Sequence, residues 1–151
     1  METSLKYSTE RIRITMKNVY YFAYGVNLEE HSMKKRYPSA EIFKFGVLRG
    51  FKLKFKDGIS SVEEREQSDY VEGLIYTVNE KDIEPPSKES IRCEVDVITD
   101  CGNVVRAVLF FVKKKEESQP SEEYLSRMLK KYGDYGFNKN HLESAFLSST
   151  S

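Results

Sequence analysis

Tyr24-Gly25-Val26-Asn27 stands where a short apolar run, Val19 to Ala23, gives way to a helical pattern. A strand that ends in Tyr-Gly-x-Asn and enters a helix directly points consecutive backbone N–H groups outward. Together with the helix dipole they form a notch suited to an anion. Gly25 lets the chain turn sharply and a ligand come close. Other reactive side chains offer little. His31 and His141 are far apart and read as helix-surface residues. Cys93 and Cys101 fall in or beside one expected β-hairpin, at positions that do not face each other, so free thiols and a reducing compartment are expected. No Cys/His cluster has metal-ligand spacing, and neither a metal nor another cofactor is expected.

The elements that must position this loop fit one domain. The chain has 151 residues, a size at which roughly 68–70% of the unfolded surface can be buried without staples. Its apolar fraction of 39% and aromatic fraction of 13% are enough for a packed core. The 24 basic and 24 acidic residues cancel, which gives no global pull toward nucleic acid or membrane. No signal-like core and no apolar run near membrane-spanning length are visible, so a cytoplasmic protein is expected.

Residues 1–17 are polar apart from the alternation Ile12, Ile14, Met16, and read as an N-terminal extension, either an edge strand or a loose tail. Val19–Ala23 suits a buried central strand. Asn27 followed by Glu30 resembles a capping box, opening a helix that stops before Pro38. Residues 40–56 predict two strands around Arg49-Gly50, then a turn at Asp57-Gly58, a short strand over 59–64 and a longer one over 69–78. Residues 91–99 and 104–112 predict a hairpin. Lys113 to Gln119 is a charged linker, after which Ser121 caps a helix whose apolar stripe is Tyr124, Leu125, Met128 and Leu129. A last short helix is expected near 138–146, and 148–151 as a disordered tail, which bounds the domain at 18–147. Many short strands with helices near both ends predict an α+β domain around a small bent or barrel-like mixed β-sheet.

Several segments, in order, resemble one family. Tyr21-Phe22-Ala23-Tyr24-Gly25-Val26-Asn27-Leu28 resembles the YFAYGSNL signature of the γ-glutamylcyclotransferases and their relatives. Arg36-Tyr37-Pro38-Ser39-Ala40 fits R-x-P-x-A, and Leu48 to Phe55 fits L-x-G-[FY]-x-L-x-F. Val71-Glu72-Gly73-Leu74-Ile75-Tyr76 fits V-x-G-[VL]-[VIL]-[YW], Pro120 to Tyr124 fits P-S-x-x-Y, and Gly136-Phe137 fits the turn that follows. The match spans about residues 19–146. It implies that Tyr24, Gly25, Val26 and Asn27 hold the α-carboxylate end of a γ-glutamyl group, and that Tyr124 lines the pocket. Val26 stands where the family usually has Ser, so backbone donors remain and one hydroxyl is lost.

The resemblance also implies a reaction. The α-amine of a γ-glutamyl compound attacks its own γ-carbonyl, giving 5-oxoproline and a free amine. The amine is protonated at neutral pH, so a carboxylate must take its proton and return one to the leaving group. Enclosing the ring-closing atoms lowers the entropic part of the barrier. In the family the carboxylate is the Glu of an L-D-x-x-E-G loop. Here the corresponding stretch, Glu80 to Ile91, is shorter and lacks that motif. Counting back from Arg92 points to Glu84, and counting forward from Gly73 points to Glu89. Ser90 stands where a substrate-facing Tyr is common.

Two readings follow: a cyclotransferase using Glu84 or Glu89, or a relative that holds a small γ-glutamyl-like or carboxylate ligand without turnover. A third, nucleic-acid binding, draws on Lys44, Arg49, Lys52, Lys54 and Lys56 interleaved with Phe43, Phe45, Phe51 and Phe55. Strict alternation makes those phenylalanines core and those lysines a solvated face that protects a sheet edge, which argues against it.

Overall fold

The computed structural model describes residues 17–150; the expected alternation at Ile12, Ile14 and Met16 lies outside that range. Seven strands and, among the described residues, three α-helices follow one another. The strands are β1 (Asn18–Ala23), β2 (Glu41–Arg49), β3 (Phe51–Lys56), β4 (Ile59–Glu64), β5 (Tyr70–Asn79), β6 (Ser90–Thr99) and β7 (Val104–Val112). The helices are α1 (Glu30–Arg36), α2 (Glu122–Tyr135) and α3 (Lys139–Ser149). Five strands close into a barrel in the order β1-β5-β2-β6-β7, while β3 and β4 form a separate two-stranded ribbon. The barrel closes where β1 runs parallel to β7, Tyr20 opposite Ala107 and Tyr21 opposite Val108. This is an α+β domain with a small barrel-like sheet.

Local sequence explains most of these elements. The apolar run of β1 lies between β5 and β7, and Tyr21, Phe22 and Ala23 are buried. The side chain of Ser121 accepts the Tyr124 N–H and caps α2. The Pro38 region ends α1, with the Tyr37 N–H returning to the Met33 carbonyl.

Four expectations need correction. Asn27 does not cap a helix: a single 3-10 turn, Val26–Leu28, intervenes, and α1 starts after Glu29, which has no side-chain capping bond. The Glu29 carboxylate is instead held by Arg127 and by the Ser32 hydroxyl in the first turn of α1, which donates to it at 3.0 Å. Phe43 and Phe45 are not core, each being 38% exposed. A bulge between Ile42 and Lys44 interrupts the alternation in β2. Phe45 packs on Tyr135 and Phe137 at the end of α2, with ring centroids 5.2 Å and 5.9 Å away. Lys54 and Lys56 are not a solvated face; they are 8% and 3% exposed. The linker after β7 crosses β3 through the Ser118 N–H to Phe55 carbonyl bond, and Lys54 meets Glu117 and Ser148 while Lys56 meets Glu63. Those charges are spent inside the fold. Finally, α3 continues to Ser149, which is itself buried, so residues 148 and 149 are part of the packed domain and not a frayed tail.

Candidate ligand-binding site

At the end of β1 the chain stops pairing and turns. The Leu28 N–H bonds the Gly25 carbonyl at 2.9 Å and the Glu29 N–H bonds the Val26 carbonyl at 3.0 Å. The N–H groups of Gly25, Val26 and Asn27 donate none of these turn bonds, as expected for the first positions of a helical turn. Two tyrosines hold the turn from its other side. Tyr76 donates to the Asn27 carbonyl at 3.0 Å and Tyr135 to the Leu28 carbonyl at 2.9 Å. Arg127 of α2 fixes the residue that follows, its Nε reaching both Glu29 carboxylate oxygens at 3.1 Å. The Arg127 bond holds the Glu29 carboxyl below its ordinary range, against the opposing effect of partial burial.

These contacts leave a cavity of about 200 Å³. Tyr24, Gly25, Val26, Asn27 and Tyr124 all line it. Ser60 from β4 lines it too: its backbone N–H donates to the Tyr124 hydroxyl at 3.0 Å, and the two hydroxyl oxygens lie 2.9 Å apart. A Cβ at Gly25 would run into the Ser60 hydroxyl and stand 2.9 Å from that of Tyr124, so any larger residue would have to push the Ser60 side chain aside. Tyr24 donates to the Phe110 carbonyl at 2.6 Å, and burial pushes its phenol pKa up, which keeps it a neutral donor. The Asn27 side-chain oxygen is buried with no hydrogen-bond partner. Arg36 supplies the one charged side chain on the wall, and no Asp or Glu lines it.

No protein-family model and no curated protein matches the sequence. Solved structures do match. A γ-glutamyl cyclotransferase superposes with a TM-score of 0.74 at 23% identity, over 85% of this chain and 86% of the other. An uncharacterized protein from Homo sapiens gives 0.73 at 23% identity, over 85% and 86%. A yeast γ-glutamyl cyclotransferase described as specific to glutathione gives 0.58 at 10% identity, over 88% and 96%. The chain has the γ-glutamyl cyclotransferase fold.

Within that fold, the segment between β5 and β6 is a 3-10 turn, Glu80–Asp82, and then an irregular stretch. The Tyr37 hydroxyl donates to the Glu84 carbonyl at 2.6 Å and fastens this stretch to the end of α1. Pro86, Ser87 and Ser90 reach the cavity wall. Glu84 and Glu89 are exposed and do not line it. Thus the structure brings the five predicted binding residues together and leaves the two predicted carboxylates outside the wall. Among the described residues no cluster of His, Cys, Asp or Glu is placed to hold a metal ion, and no helix is long and apolar enough to cross a membrane. Cys93 and Cys101 are free thiols.

Sequence reading missed Arg36 as a wall residue although its motif was quoted, because nothing local says which way a helix-end arginine points. It also missed Ser60, an ordinary strand residue whose role comes from a partner 64 positions away.

Proposed function

We propose that this chain, with its γ-glutamyl cyclotransferase fold, binds a small γ-glutamyl-type compound in the cavity and holds it as a binding or regulatory module. The observation that carries the reading is the composition of the wall: a loop with uncommitted N–H groups and no carboxylate. The N–H groups suit the α-carboxylate of an amino-acid head, whose α-ammonium is charged at neutral pH. Cyclisation needs the ammonium proton removed before nitrogen attacks the γ-carbonyl. A wall without a base leaves the ammonium charged, so the ligand is retained and not consumed.

A second reading, cyclisation to 5-oxoproline and a free amine, draws on one observation. Glu84 and Glu89 flank Pro86 and Ser87, which do line the cavity, so a modest shift of that stretch carries a carboxylate inward. One experiment separates the two. The purified protein is titrated with γ-glutamyl compounds by calorimetry, and the same mixtures are assayed for 5-oxoproline by mass spectrometry. Saturable heat without product supports the binding module. Product that disappears in Glu84→Gln or Glu89→Gln supports the enzyme and names its base. Neither heat nor product would end both readings.

A further inference from the structure

We propose that Arg36 and the hydroxyl pair Ser87–Ser90 form a second anion subsite in the same cavity, which takes a carboxylate carried by the ligand beyond its γ-glutamyl end. This rests on the reading that the cavity holds a γ-glutamyl-type compound.

Arg36 sits at the last position of α1, and among the described residues it makes no ion pair or hydrogen bond. Many exposed arginines are unpartnered; this one lies on the wall of a cavity that contains no carboxylate. A guanidinium there is a permanent charge with five donors in a fork that matches a carboxylate. The rest of the subsite comes from the stretch that leads into β6 and from the first residue of that strand. Two ties fasten that stretch to the α1 end: the Tyr37 hydroxyl to the Glu84 carbonyl at 2.6 Å, and the Ser39 N–H to Asp82 Oδ2 at 3.1 Å. They put Ser87 and Ser90 on the cavity that Arg36 also lines.

Ser87 Oγ and Ser90 Oγ are 2.9 Å apart. One hydroxyl hydrogen bridges them, which leaves the other hydrogen for a ligand. Arg36 and this hydroxyl pair line one cavity, and a guanidinium and a free hydroxyl that both reach one ligand group make a carboxylate receptor. It is separate in sequence and in bonding from the Gly25–Asn27 notch, whose polar neighbours are Ser60 and Tyr124. The cavity therefore has two polar clusters, and a ligand with an anionic group at each end uses both. A γ-glutamyl amino acid has that character; a γ-glutamyl amine has only the first.

Calorimetric titration with γ-glutamylglycine and with γ-glutamylethylamine tests this, since the second lacks the distal carboxylate. The wild-type chain is expected to bind γ-glutamylglycine at least about tenfold tighter, the scale of one charged hydrogen bond. Arg36→Gln is expected to bring the two affinities within about threefold, and Arg36→Lys to keep part of the gap, because it keeps charge and loses the fork. Equal affinities in the wild type, or a gap that survives Arg36→Gln, would overturn the subsite while leaving the binding reading intact. If neither compound binds the wild type, the binding reading fails and the subsite falls with it.

Discussion

The hydroxyl of Tyr124, on the first turn of α2, receives the backbone N–H of Ser60 at 3.0 Å and lies 2.9 Å from the Ser60 hydroxyl, so a helix near the end of the chain is joined to the β3–β4 ribbon directly beside Gly25. The ribbon does not pair strand to strand with the barrel. Its position against the cavity depends on side-chain ties of this kind. Ser61 provides the next one, its hydroxyl accepting the Val112 N–H at 2.9 Å and donating to the Val112 carbonyl at 3.3 Å.

Replacing Tyr124 with Phe removes the acceptor for the Ser60 N–H and one polar group from the wall. The expected loss of stability is about 1 kcal/mol, which lowers Tm by about 2–4 °C. Affinity for γ-glutamylglycine is expected to fall as well. Calorimetric melting and titration read the two effects separately, and a variant with unchanged Tm and affinity would mean that the contact contributes nothing in solution.

Gly25→Ala is expected to abolish ligand binding, because the new methyl collides with the Ser60 side chain. Adding Ser60→Gly removes the collision and is expected to recover part of the lost stability. If Gly25→Ala binds as well as wild type, the close approach of backbone to ligand at this turn is wrong.

Ser61→Ala leaves a buried N–H and carbonyl of Val112 without their partner. A cost of about 1–3 kcal/mol is expected. It exceeds what a surface serine replacement does, so a parallel melt of Ser68→Ala, at an exposed serine, serves as the comparison. Equal effects at both sites would count against the tie.

The Glu29 carboxyl has a folded pKa below its usual 4.5, chiefly through the Arg127 hydrogen bond. A depressed folded pKa adds stability above the unfolded pKa, and that stability is lost as pH falls through the folded value. Wild-type stability should therefore drop more steeply below about pH 5 than that of Glu29→Gln. Urea melts at pH 7 and pH 3 measure this: the gap between the two proteins is expected to shrink at pH 3. Parallel curves would show that the Glu29–Arg127 contact does not survive in solution.

Much of this molecule is legible along the chain because it is local. The apolar run of Val19–Ala23, the alternation on both sides of Asp100-Cys101-Gly102-Asn103 and the Ser121 cap each depend on residues within a few positions, and β1, the β6–β7 hairpin and the start of α2 lie where these signals put them. The strand-to-turn loop was also readable, since Tyr-Gly-x-Asn carries its own backbone geometry. Asn27 shows the limit. Its spacing to Glu30 met the capping rule, yet a 3-10 turn, Val26–Leu28, intervenes and the helix starts after Glu29, a residue held by Arg127 from 98 positions away.

The amino-acid order by itself determined which segments become strands and helices and which loop presents free N–H groups, since those outcomes follow from nearest-neighbour sterics and hydrophobic period. Only the tertiary structure decided that β1 closes the barrel against β7, that Lys54 and Lys56 are buried, that Arg36 and Ser60 face one cavity, and that Glu84 and Glu89 lie outside its wall. Each of these depends on which distant surfaces pack together, a balance of burial and pairing that no short stretch of sequence contains.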